Sequence, residues 1–335
     1  MTIITKISKT PDKEWNLRLE NNRFSTIHNT TQYIEYVKIA RNQPSYYVSF
    51  ENKGEVIAQM GLHRISRAQK KIAYKLKKIP FSSKLSSIVK NIAPIFIWDY
   101  GPVVFREDLL KEIFNEITKL PSEFKTSIKG TLHPFHNSSE ILMKNGWQEK
   151  KMGTFLIDLR ISEEELWTNI DRRSGRKAVN KALKNGVKIS TIKNLDDLKI
   201  HHQLLNEGKQ MAGLQNYPFK SLKYSWNILK EIGQTGFIAW LDDVPLASTL
   251  VTTYNGYLNE WGFAEAKIDR KNLTFGSDLI KWHLIKWGHK NNFSYFDLSG
   301  VEFSPETSKE KGIFNFKKKW GGNLMEWYHY TFMKN

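Results

Sequence analysis

A chain of 335 residues has the length of two ordinary domains, and 40% hydrophobic, 25% charged and 13% aromatic residues give the profile of a folded chain rather than a disordered one. It holds no cysteine, which excludes disulfides, thiolate metal sites and a cysteine nucleophile and fits a reducing compartment. The formal charge of +17 marks a surface that attracts polyanions such as tRNA, anionic lipid headgroups or diphosphate-bearing substrates, although 40 Lys against 11 Arg is also what an A/T-rich coding bias would produce.

The stretch from Met1 to Trp15 has no apolar core of signal-peptide length, and the longest apolar run, Ile92 to Trp98, is far short of a membrane span. A soluble, cytoplasmic protein is the expectation. Tyr46 to Phe50 alternates into a turn at Asn52-Lys53-Gly54 and resumes as Val56 to Leu62, a predicted antiparallel hairpin. From Val56 to Trp98 there are nine Lys or Arg and no acid. Thr154 to Leu159 reads as a strand, and Ser162 with Glu165 forms a capping box that opens a helix through Ile170. Arg172 to Leu195 carries eight basic residues and no acid, and its first part continues helically to Gly186, with Ala178 and Ala182 on one smooth face and cations on the other. A solvated basic face is the competing reading of this segment.

Phe237 to Leu241 runs into Asp242-Asp243 and resumes as Val244 to Tyr254, a second hairpin about 190 residues after the first. The repeat suggests tandem domains of related fold. Asn255-Gly256 is a hairpin turn that pairs Leu246 to Tyr254 with Tyr257 to Phe263. Ser277 is the expected N-cap of a helix bearing Leu279, Ile280, His283, Leu284 and Trp287 at helical spacing, and a strand from Phe293 to Leu298 follows. Hairpin, helix, strand is the order of the acyl-CoA N-acyltransferase fold, in which the helix N-terminus faces the cofactor pyrophosphate. Near the end, Lys317, Lys318 and Lys319 stand between Phe316 and Trp320-Gly321-Gly322. Taken as a strand, this segment puts Phe316, Lys318 and Trp320 on one face and Lys317 and Lys319 on the other, which favours Lys317 as the lysine projecting into a polar cleft. The nine histidines form no HxxxH or HExxH pair with metal-like context, so no metal is expected.

The order and spacing of several segments resemble the Fem family of aminoacyltransferases, which add amino acids from aminoacyl-tRNA to the peptide stem of peptidoglycan precursors. The segments are Phe24-Ser25-Thr26-Ile27-His28-Asn29 with Tyr33, Tyr100-Gly101-Pro102-Val103, Phe155 to Leu159, Arg176 through Gly186, Tyr295 to Gly300, and Phe316-Lys317 with Trp320-Gly321-Gly322. The resemblance spans nearly the whole chain. It implies an α/β fold of two tandem GNAT-like domains, each a mixed β-sheet flanked by helices: one over 1–150 with 322–335 returning, the other over 151–321. It also implies an acyltransferase that forms an amide on an amine acceptor, a peptidoglycan precursor or other cell-envelope molecule, with aminoacyl-tRNA as co-substrate, no bound cofactor and acyl-CoA as the alternative donor. A non-catalytic basic protein that binds RNA or an anionic membrane surface is the reading from another class.

Within the resemblance, Lys317 matches the lysine that stabilises the oxyanion when an amine attacks the aminoacyl ester, with Lys318 the competitor in register. Arg176, with Arg173 beside it and Lys181 on the same segment, would hold the diphosphate of a nucleotide- or lipid-linked acceptor. Trp261 falls where the family often carries an aromatic near the substrate, with core packing the other role open to it, and Tyr100, beside Asp99 in the Tyr100-Gly101-Pro102-Val103 segment, is a further substrate-binding candidate. A general base is missing, because Val104-Phe105-Arg106-Glu107-Asp108 lacks the expected acid just after Gly-Pro-Val. Asp99 or Asp108 is the substitute. Arg270 to Gly276 contains a single glycine where coenzyme-A-dependent relatives carry a glycine-rich pyrophosphate turn, which weakens acyl-CoA use relative to aminoacyl-tRNA.

Overall fold

The computed structural model describes residues 2–66, 94–211 and 213–334. The chain divides into two compact units, Met1–Lys151 with Trp327–Asn335, and Met152–Glu326. Most of the basic run noted between Val56 and Trp98, residues 67–93, lies outside the described residues.

The first unit is built on a sheet whose strands lie in the order Ile3–Ser8, Ser45–Asn52, Glu55–Ser66, Pro94–Trp98, Ser127–Thr131 and the final part of Asn323–Phe332. Neighbours are antiparallel except Pro94–Trp98 with Ser127–Thr131, which are parallel. The second unit has the order Lys188–Thr191, Gln234–Leu241, Val244–Tyr254, Tyr257–Glu265, Tyr295–Glu302 and the main part of Gln148–Asp158. Here too one pair is parallel, Tyr257–Glu265 with Tyr295–Glu302, and the rest are antiparallel. The same six-strand order, with its parallel pair in the same place, therefore occurs twice. The two hairpins read from turn chemistry occupy matching places in these orders, with Lys53 and Gly54 at one tip and Asp242 at the other in the left-handed region.

In the second unit the sheet buries one face against the central helix, Gly276–Lys290. Leu279, Ile280, Leu284 and Ile285 recur at helical spacing and pack with Phe237, Ala247, Leu258 and Phe296. Each such side chain contributes about 1.5–3 kcal/mol on burial. The basic helix, Lys177–Lys184, adds Ala178, Val179 and Ala182 to the interior and leaves its lysines outside.

Three local expectations change. The helix opened by the Ser162–Glu165 box stops at Asn169 and does not continue into the basic segment. Asp171 starts a separate turn of π-helix, Arg172–Arg176, by accepting from Ser174 N at 2.7 Å. Gly175 is required there, since a Cβ would come within 2.3 Å of Ile170. Ser277 does not cap the central helix, whose first amides are held by Asp269. The segment with three lysines is a helix, Ser308–Lys318, rather than a strand. Thr307 and Glu310 form its capping box, a signal that outweighs the short alternation of Phe316, Lys318 and Trp320.

Candidate active site

Lys317 lies in the last turn of the lysine helix, and its Nζ donates to the carbonyls of Ser299 and Gly300, both at 3.1 Å. Those carbonyls are turned toward it by an irregularity in strand Tyr295–Glu302, where the register with Gln148–Asp158 shifts between Asp297 and Gly300 and Ser299 takes φ 64°. Asp297 fixes the irregularity: its carboxylate accepts from Ser299 N at 2.7 Å, Tyr257 OH at 2.7 Å, Asn259 Nδ2 at 3.2 Å and the Thr154 hydroxyl. With its oxygens so engaged Asp297 is an anchor, not a base. An ammonium has three N–H bonds and two are used, so one remains for a ligand.

Two further lysines stand close to Lys317, and each has a carboxylate. Lys281, fully buried on the central helix, pairs with Glu260 of strand Tyr257–Glu265, and Lys319 pairs with Asp278 of the central helix. Among the described residues no carboxylate lies within ion-pair distance of Lys317. Burial pushes its ammonium below the ordinary lysine range; the charge of Lys281 adds to this, while Glu260 and Asp297 oppose it. Burial also pushes the Asp278 carboxyl up, against the pull of Lys319.

These groups line a cavity of about 570 Å³ within the second unit, with Phe263, Phe275, Ile313 and Phe316 as its apolar wall. A second cavity of about 570 Å³ in the same unit is lined by Trp167, Arg172, Arg173, Arg176, Lys177, Asn180, Lys181 and Lys184. Arg176 Nε is buried there with no hydrogen-bond partner among the described residues. Lys181 of this cavity extends over the ring of Phe275, a lining residue of the first, 5.3 Å from its centroid. Six cations with no acid in the lining suit a phosphate-bearing ligand.

The sequence candidates divide accordingly. Lys317 faces the first cavity, whereas Lys318 is exposed and outside it. Arg173, Arg176 and Lys181 share the second. Trp261 alternates with Glu260 along its strand and packs against the cluster of Leu198, Leu222, Trp226 and Leu250, away from both cavities. In the first unit, Tyr100 is a packing residue, 6% exposed, stacked on His28 at 4.7 Å and beside Trp327 at 5.3 Å. Asp108, the other candidate base, is exposed and held by Arg106 at 2.9 and 2.8 Å, outside both cavities, and those hydrogen bonds keep its carboxyl below the usual range. Asp99 accepts from Tyr33 OH at 3.3 Å; burial pushes its carboxyl up, against the pull of Arg41 and the Tyr33 hydrogen bond.

Glu260, Lys281, Asp278, Lys319 and Asp269 escaped the sequence reading as site residues. One signal was present: Lys281 interrupts the apolar stripe of the central helix between Ile280 and Leu284, where an unpaired lysine would not be tolerated.

No family model and no curated protein matches the sequence. Among solved structures, FemX aligns at 14% identity over 98% of each chain, with a TM-score of 0.74. L-PGS from Bacillus licheniformis aligns at 14% identity over 98% of this chain and 94% of its own, with a TM-score of 0.58. A tandem GNAT protein from the clavulanic acid biosynthesis pathway aligns at 11% identity over 98% of each chain, with a TM-score of 0.51. The twice-used six-strand order of this chain, together with structural alignments over nearly the full length of FemX and the tandem GNAT protein, establishes that it has the Fem-like tandem GNAT fold.

Proposed function

We propose that the chain is an acyltransferase that moves an aminoacyl group from the ester of an aminoacyl-tRNA to an amine of a phosphate-bearing acceptor. The observation that carries this is Lys317: an ammonium clamped by two carbonyls, with no carboxylate at ion-pair distance among the described residues and one N–H left at the wall of a cavity. The acceptor amine, unprotonated, attacks the ester carbonyl; Lys317 Nζ–H stabilises the oxyanion that forms. Collapse of the adduct breaks the ester C–O bond, and the released ribose hydroxyl takes up the proton that the amine gives. No metal and no covalent enzyme intermediate are needed.

The basic cavity supports a phosphate-bearing partner, and the fold shared with FemX and L-PGS supports aminoacyl transfer, with a peptidoglycan precursor or lipid-linked molecule as acceptor class. Such a donor is made in the cytoplasm; among the described residues no helix is long and apolar enough to cross a membrane. The test is transfer of a radiolabelled amino acid from charged tRNA to amine acceptors, run beside radiolabelled acyl-CoA. Label that moves from neither donor ends the proposal.

The pH profile gives a second check. The acceptor amine must be deprotonated, so the rate rises with pH at first. The Lys317 ammonium must keep its proton, and burial has moved its titration down; the rate therefore falls again at a pH below the ordinary lysine range. Lys317→Arg, which stays charged, should remove that basic limb even where it slows the reaction. A basic limb unchanged in Lys317→Arg would assign it to another group.

Arg176→Ala is expected to weaken tRNA or acceptor binding by ~1–3 kcal/mol, through loss of a charge-assisted pair, with the fold intact. The affinity that remains should still fall steeply with salt, and with a smaller slope than in the unaltered chain. Titration of tRNA at two ionic strengths checks this, and equal affinities at low salt would remove Arg176 from the site.

A further inference from the structure

The first amides of a helix have no partner within the helix, and with the helix dipole they form a seat for an anion. In the central helix that seat is already taken. Asp269 Oδ1 accepts from Gly276 N at 2.8 Å, and its Oδ2 accepts from Ser277 N at 2.9 Å. The Thr274 hydroxyl also donates to Oδ1, and Thr274 N donates to the Asp269 carbonyl at 3.2 Å. Asp269 is 2% exposed.

The loop that brings this carboxylate back to the helix is costly. Leu273 at φ 52° and Phe275 at φ 61° are both left-handed without being glycine, a strained backbone for side chains of this size. The contacts of Asp269 therefore do more than offset an ordinary turn. Asp269, Phe275 and Ser277 also line the cavity that holds Lys317, so the plugged seat opens onto the reaction space. Glu265 and Asp278 line the same cavity, each already paired with a cation, Arg270 and Lys319. A diphosphate reaching the helix start would have to expel Asp269, leaving a buried anion without its amides. An aminoacyl ester places no diphosphate beside its reacting carbonyl and meets no such obstacle.

We infer that Asp269 is a specificity-determining residue: its carboxylate occupies the anion seat of the central helix and bars diphosphate-bearing acyl donors, coenzyme A thioesters among them, from the Lys317 cavity. This rests on the reading of that cavity as the donor site.

The experiment is a titration of the full chain with coenzyme A and with inorganic pyrophosphate, followed at the backbone amide resonances of Gly276 and Ser277. The unaltered chain should show no saturable shift with either. In Asp269→Ala, the opened seat should bind pyrophosphate at least about tenfold more tightly than the unaltered chain does. If that variant fails to fold, Asp269→Asn, which keeps an acceptor oxygen and loses the charge, is held to the same direction of change. A saturable shift of these amides by coenzyme A in the unaltered chain overturns the inference. So does a folded variant whose amides stay silent to pyrophosphate. The readout is binding rather than turnover: failed aminoacyl transfer with amides silent in the unaltered chain and responsive in the variant would sink the proposed function and leave Asp269 as the occupant of the helix seat, whereas a coenzyme A shift in the unaltered chain beside working transfer would do the reverse.

Discussion

Lys317→Met is expected to lower turnover by about 10²–10³-fold with little change in the KM for the acceptor, because the lost N–H donates to charge that develops only in the transition state. Methionine keeps the length and most of the volume of the side chain, so the packing of the lysine helix should persist. The carbonyls of Ser299 and Gly300 lose a donor, a stability cost of about 1–3 kcal/mol that a melting curve would register separately. Single-turnover rates, with the enzyme in excess over the charged tRNA and the acceptor saturating, isolate the chemical step. Lys318→Met is the control, since Lys318 is exposed and outside the cavity; it should leave turnover unchanged. Full turnover in Lys317→Met would end the oxyanion role.

The largest stability effect is expected at the buried pair beneath it. Lys281→Met leaves Glu260 nine-tenths buried and without its cation, which should destabilise the second unit by about 3–5 kcal/mol. Adding Glu260→Gln removes the stranded charge, so the double variant should recover much of the loss. That sign distinguishes a coupled pair from two independent packing sites, where the second change would only add damage. Denaturant unfolding of the four members of the cycle measures it. The pair also acts on catalysis: the Lys281 charge helps to hold the Lys317 ammonium low, so in Lys281→Met the basic limb of the rate profile should move to higher pH. An unmoved limb would show that Lys281 has no electrostatic hold on Lys317.

Much of the frame was legible locally. Turn residues and alternation fixed the hairpins around Gly54, Asp242 and Asn255-Gly256 because hairpin geometry is decided by a few adjacent residues. The Ser162–Glu165 box and the 3.6-residue stripe of the central helix were legible for the same reason. The lysine segment misled because three alternating residues match a strand as well as a helix, and the Thr307–Glu310 box that decides between them lies seven residues upstream.

By itself, then, the sequence determined the paired hairpins, the core helix, the resemblance to tandem acyltransferases, and Lys317 and Arg176 as residues to ask about. Only the tertiary structure decided what those residues face. Lys317 depends on a strand irregularity near Ser299, which exists because Asp297 gathers donors from Thr154, Tyr257 and Asn259. Glu260 and Lys281 are 21 positions apart and become a pair only when strand and helix pack. Asp269 reaches the helix start across a loop whose left-handed Leu273 and Phe275 break local preference. Hydrogen bonds and ion pairs between distant segments leave no periodic trace in a sequence, since their partners are chosen by the packing of whole elements and not by spacing along the chain.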